Sequence, residues 1–126
     1  MNLIPFEIDD LNAGFAKIEG TITLKSGVLH FEFHKTDDVV GAFKSSVKQL
    51  KLPLSDVVRM EYKKKLFGGR IIIRANSESA FGELEGQEFS IRTLKVKKSD
   101  RNQASDLVTH ANIYLSEEKL RSLDEE

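Results

Sequence analysis

The chain has 126 residues, 40% hydrophobic and 31% charged, with a formal net charge of −1. That length can enclose one hydrophobic core, and the near-neutral balance argues against a surface built wholly for nucleic acid or lipid. Cysteine is absent, which excludes disulfides, thiolate metal sites and thiol nucleophiles, and no apolar run approaches the roughly 20 residues that cross a bilayer.

The first ten residues, MNLIPFEIDD, are acidic and lack the basic start and long apolar run of a secretory leader, so a cytoplasmic location is expected. Leu3 to Ile8 carries Pro5, which removes a ladder donor and predicts an edge strand or an extended arm. From Ala16 to Leu24 apolar positions (Ala16, Ile18, Ile22, Leu24) alternate with Lys17, Glu19, Thr21 and Thr23. Gly20 interrupts the pattern and predicts a bulge or a strong bend. Lys25-Ser26-Gly27 is a short hairpin loop, and Val28 to His34 is the partner strand, with Leu29, Phe31 and Phe33 inward and His30, Glu32 and His34 outward.

Lys35 to Ser46 reads as a polar loop pinned by Val39, Val40 and Phe43. Val47 to Leu54 resumes strand character with Leu50, Leu52 and Leu54 on one face, and Pro53 marks the end of pairing. The next stretch, VVRMEYKKKLFGGRIIIR from Val57 to Arg74, predicts a central hairpin. Val58, Met60 and Tyr62 share one face of the outgoing strand, and Ile71 and Ile73 share one face of the return. Lys64 to Gly69 turns the chain, with Gly68-Gly69 supplying positive φ. Phe81 to Leu84 predicts a short strand. Glu88 to Lys97 predicts the last one, its apolar parity slipping between Phe89/Ile91 and Leu94/Val96, which a bulge near Arg92-Thr93 would reconcile. The period then changes. Ser99 can cap a helix, and Ala104, Leu107, Val108, Ala111, Tyr114 and Leu115 form one apolar stripe over about four turns. Ser116 can cap a further short helix with Leu120 and Leu123, before a charged end.

About seven strands joined by turns too short for parallel crossovers make the sheet antiparallel. Each strand has one apolar face, and one terminal helix is too small to cover an open sheet of that size. A strongly bent sheet or partly open barrel plugged by the helix satisfies the burial. The segments GTITLKSGVLHFEF, LKLPLSDVVRMEYKKK leading into GGRIIIR, and LKVKKSDRNQASDLVTHANIYL together resemble the pleckstrin-homology-like superfold in its bacterial and GRAM-type versions. The resemblance covers residues from about 16 to 116 and implies a mainly β domain, with a β-barrel at 16–97 and a capping α-helix at 99–116; the expectation is a single domain over 1–126, with an N-terminal arm at 1–15 and a charged tail at 117–126 added to it. The resemblance does not bring the family's phosphoinositide site with it. The loop after the hairpin's first strand holds only Lys25, and tryptophan is absent.

Charge is segregated. Nine basic residues lie between Lys44 and Arg74 against Asp56 and Glu61, and five more between Arg92 and Arg101 against Asp100. If the two segments meet they form one basic face for an acidic protein partner or an anionic membrane. The candidate binding residues are Lys63, Lys64, Lys65, Leu66, Phe67 and Arg70, where lysines can hold anions while Leu66 and Phe67 supply apolar contact. The plain alternative is that the lysines only keep the hairpin soluble while Leu66 and Phe67 pack on a neighbour. His30, Glu32 and His34 share a strand face, but same-face neighbours stand about 6.5–7 Å apart, so they read as an exposed polar face, not a metal site. No catalytic, cofactor-binding or metal-ligating set emerges. The expectation is a non-enzymatic binding or scaffold domain that contacts a protein, a second copy of itself included. The alternative is peripheral binding to anionic lipid through Lys63–Phe67. Few aromatics outside the expected core argue against nucleic acid, and Phe31, Phe33, Met60 and Tyr62 suffice to fill a barrel that would otherwise carry a small ligand.

Overall fold

The computed structural model describes residues 2–37, 43–44 and 46–124. Its strands are β1 (Ile4–Leu11), β2 (Ala16–Lys25), β3 (Val28–Asp37), β4 (Phe43–Lys44), β5 (Lys48–Pro53), β6 (Val57–Lys65), β7 (Gly68–Ala75) and β8 (Ile91–Val96), followed by one helix, α1 (Arg101–Asp124). The strands form a single antiparallel sheet in the order β4-β3-β2-β1-β8-β7-β6, with β5 pairing β3 beside β4. The sheet curls into a half-barrel that stays open between β5 and β6. Helix α1 packs against β6, β7 and the 3₁₀ turn Leu54–Asp56.

The hairpin β2–β3 follows the expected alternation. Its register is unbroken from Ala16↔Asp37 to Lys25↔Val28, and Ser26 and Gly27 both have positive φ (51° and 75°), as a two-residue turn matched to strand twist requires. No bulge forms at Gly20. A Cβ there would lie 2.2 Å from the Glu32 carbonyl oxygen, so glycine is needed for close approach of the two backbones. Leu29, Phe31 and Phe33 are buried, and the Phe31 ring meets Phe6 edge-on with centroids 6.0 Å apart.

Several elements depart from the sequence reading. β1 is a wall strand, not an arm: it pairs β2 from Ile4↔Ile22 and meets β8 at Glu7↔Lys95, and Ile4, Phe6, Ile8 and Leu11 are buried. Pro5 is tolerated because pairing with β8 is confined to the Glu7 end. On β6, Val57 and Met60 are buried while Val58 is 60% exposed. The register gains one residue between Val57 and Arg59, a bulge that flips Val58 outward. No strand forms at Phe81 to Leu84; Glu78–Phe81 is a 3₁₀ turn. β8 starts only at Ile91 and needs no bulge, because its inward residues are Arg92, Leu94 and Val96, and Phe89 lies outside it, exposed. Helix α1 runs unbroken for 24 residues from Arg101, after the 3₁₀ turn Lys98–Asp100, through the expected boundary at Ser116. β3 extends to Asp37 and β4 pairs with its end, while Val39 and Val40 lie outside the described residues.

Ala104, Leu107, Val108 and Ala111 are the buried face of α1, at the i, i+3, i+4, i+7 spacing. Among the described residues no helix is long and apolar enough to cross a membrane.

Candidate functional site

The tip of the β6–β7 hairpin is tighter than the sequence suggests. β6 continues through Lys65 and β7 begins at Gly68, paired Lys65↔Gly68, so only Leu66 and Phe67 form the turn. Gly68 has φ +150°, and a Cβ on it would lie 2.3 Å from the Val96 carbonyl oxygen. No other residue fits where the hairpin folds against β8. Leu66 and Phe67 are 78% and 89% exposed, so neither packs within the chain.

Arg101, the first residue of α1, holds this tip. Its Nε donates to the Gly68 carbonyl (2.7 Å), and Nη2 donates to the carbonyls of Leu66 (3.0 Å) and Lys65. A charged donor satisfies three carbonyls that a turn otherwise leaves to water. The exposed apolar pair is therefore presented on a fixed loop.

Strand pairing sorts the six candidate residues. Lys63 stands opposite Arg70, and Arg70 opposite Lys95, so all three share the outer face of the sheet, and Lys65 joins them by alternation. Lys64 pairs with Gly69 and turns to the other face, in line with Met60 and Tyr62. Leu66 and Phe67 cap the end. Arg70 is half-buried, and its Nη1 donates to the Gly69 carbonyl at 3.0 Å. The two basic segments do meet, because β7 pairs β8. A hollow of ≈ 600 Å³ is lined by Lys65, Leu66, Phe67, Arg70, Lys95 and Lys97, and also by Glu7 and Glu19. A second hollow of ≈ 290 Å³ shares Arg70 and Lys95 and continues to Asp9, Thr93 and Gln87.

Not all of the expected basic face is free. Lys95 pairs with Asp9, Arg59 with Glu61 at 2.9 Å, and Lys48 with Glu83 at 3.4 Å. Arg92 is not on the surface: its side chain is 2% exposed. Nε donates to the Leu84 carbonyl (2.6 Å) and Nη1 to those of Glu88 and Ile91 (both 2.9 Å). Nη2 donates to the Glu78 carboxylate at 2.6 Å, and the guanidinium lies 4.4 Å from the Phe81 ring centroid. The hydrogen bond from Arg92, with a second from the Ser90 backbone N–H, holds the Glu78 carboxyl below the ordinary glutamate value. Arg92 is thus a structural strut. His30 and His34 alternate with buried Leu29, Phe31 and Phe33, and among the described residues no three His, Asp or Glu side chains gather as a metal site.

Sequence reasoning missed Lys95 and Lys97 as individual neighbours of the tip, Arg101 as its clasp, and Glu7 and Glu19 as its acidic border. Charge segregation hinted at the lysines. Nothing short of the strand register could have found the acids.

No protein-family model matches the chain, and no curated protein or solved structure matches it either.

Proposed function

We propose that this protein is a non-enzymatic binding module of the pleckstrin-homology-like kind, and that the β6–β7 hairpin is its docking surface for a protein partner. The curled antiparallel sheet with a C-terminal helix across its open side is compatible with that superfold. The observation that carries the docking role is Leu66 and Phe67, adjacent and largely exposed on a turn clasped by Arg101. An ordered turn with two exposed large apolar side chains binds with little ordering cost and resembles the buried centre of an interface before the partner arrives.

The test is co-purification from an extract of the native cells, comparing the natural protein with Phe67→Ser. The substitution is at an exposed site, so melting should be unchanged. Proteins held by the natural chain and lost from the variant are the expected result. Identical captured sets from both would end this reading. Light scattering of the same samples tests self-association: a dimer that dissociates in Phe67→Ser makes the second copy the partner.

A second reading, peripheral attachment to anionic lipid, draws on the same pair of side chains with Lys63, Lys64 and Lys65 beside them. Against it stand Glu7 and Glu19 in the same hollow, which a uniformly negative surface would face.

A further inference from the structure

Strand registers align six side chains in one row across the outer face. Lys63 is opposite Arg70, Arg70 opposite Lys95, Lys95 opposite Glu7, Glu7 opposite Glu19, and Glu19 opposite His34. At about 4.8 Å per strand the row covers about 24 Å along the arc of the sheet. It begins with three cations, passes to two carboxylates and ends on an imidazole. The exposed Leu66 and Phe67 stand over its basic end.

We infer that this trough takes an extended peptide of mixed charge. An apolar side chain packs on Leu66 and Phe67, a carboxylate binds Arg70, and a basic side chain reaches Glu7 and Glu19. The inference rests on the hairpin being the docking surface and adds the chemistry of what docks.

Three observations carry it. First, Arg70 donates from Nη1 to the Gly69 carbonyl and has no carboxylate partner among the described residues. Its remaining N–H groups form a planar fork that fits a carboxylate with two parallel bonds. Lys63, Lys65 and Lys97 likewise carry no ion pair among the described residues, so their positive field is not cancelled locally, whereas Lys95 is held by Asp9. Second, Glu7 lies two strands from Arg70 and Glu19 three, about 10 and 14 Å, beyond the screening length of about 8 Å at physiological salt, so each end acts on the part of a ligand that touches it. A polyanion laid on the row meets repulsion at that end, but a peptide with opposite charges at its two ends satisfies both. Glu19 already touches Lys17 at 3.5 Å across an exposed pair, which shows the kind of cation this end accepts. Third, one hollow of ≈ 600 Å³ is lined by four consecutive members of the row, Arg70, Lys95, Glu7 and Glu19, together with Leu66 and Phe67, so the apolar pair and both charged ends border the same space.

The test is selection of phage-displayed random peptides of about twelve residues, about 40 Å when extended, on the whole protein at physiological salt. Affinities of enriched sequences are then read by fluorescence anisotropy. The expected consensus holds an acidic residue next to a large apolar one, with a lysine or arginine further along. Arg70→Glu and, independently, the exposed Lys97→Glu should each weaken binding roughly tenfold or more with melting unchanged. Glu7→Lys should weaken peptides that contain the basic residue and spare those that lack it. An empty selection, a consensus without an acidic residue, or affinities unchanged in both arginine and lysine variants overturns the inference. Flotation with vesicles of phosphatidylcholine and phosphatidylserine runs in parallel. Vesicle binding that needs Phe67, beside an empty selection, assigns the tip to lipid and also overturns it. The two levels of failure separate: an empty selection with Phe67-dependent co-purification removes the peptide chemistry alone, and loss of both removes the docking surface.

Discussion

Arg92 occupies a position on β8 where alternation calls for an aliphatic side chain, two residues from buried Leu94 and opposite buried Ile73. It is tolerated because its donors are used on three carbonyls and the Glu78 carboxylate, with its flat face over Phe81. Buried charge is costly when bonds are missing and acceptable when they are made. Two of the carbonyls, those of Leu84 and Glu88, and the Glu78 carboxylate belong to the stretch from 76 to 90 that has no strand of its own, so one guanidinium ties that stretch to β8 at three points. Arg92→Met keeps the volume and removes these bonds. It should lower unfolding free energy by about 3 kcal/mol, the scale of hydrogen bonds from a charged group, measured by urea denaturation. The partner adds a pH signature. Glu78 has a folded-state pKa below its unfolded one, so its contribution is complete above the ordinary glutamate value and fades as pH falls through the folded pKa. The stability gap between the natural protein and Glu78→Gln should therefore shrink on acidification through that window. A gap constant with pH would mean that the carboxylate charge contributes nothing, and since Glu78 is 40% exposed the effect is screened and modest.

Among the elements, the β6–β7 hairpin shows how a terminal side chain of one element can order another. Its strands are secured by pairing from Val57↔Ala75 to Lys65↔Gly68, but the turn's carbonyls depend on Arg101 from α1. Arg101→Ala should leave the sheet intact and free the tip. Amide hydrogen exchange at Leu66, Phe67 and Gly68 should quicken by about tenfold, as a lost bond of about 1.4 kcal/mol allows, while the β2–β3 ladder exchanges as before. Equal exchange in both proteins would show that the turn is self-supporting. What the sequence revealed at this scale depended on local rules. The β2–β3 hairpin was legible because alternation and the Ser26-Gly27 turn agree. Val58 was not, since a bulge shifts parity without leaving a mark in composition. Arg92 was not, because parity arguments place arginine on the outside. The six candidate residues were chosen from charge and apolarity alone, whereas the alignment of two of them, Lys63 and Arg70, in an outer-face row with Lys95, Glu7 and Glu19 depends on pairings between residues as far apart as Glu7 and Lys95.

At the scale of the whole molecule, the half-barrel has an unclosed side between β5 and β6, and α1 covers it with four small or aliphatic residues. Tyr114 extends that contact to the β2–β3 turn, where a Cβ added to Gly27 would sit 2.7 Å from its ring. Leu115 is the last residue packed on the core. Beyond it, Leu120 and Leu123 are 63% and 58% exposed, although the helix continues to Asp124. The helix thus has two halves with different energetics: one closes the core, the other projects. The sequence pattern placed a break at Ser116 because the apolar stripe weakens there, but continuation costs little once the first turns are nucleated by packing. Ending the chain after Ser116 should therefore change unfolding free energy by less than about 1 kcal/mol, the range of exposed helical residues. Leu107→Ala, within the closing half, should cost about 2–5 kcal/mol because a fully buried leucine leaves a cavity. Urea unfolding of both variants decides the matter. A truncation as damaging as Leu107→Ala would mean that the projecting turns are part of the closure, and that the half-barrel depends on the whole helix and not on its first four turns.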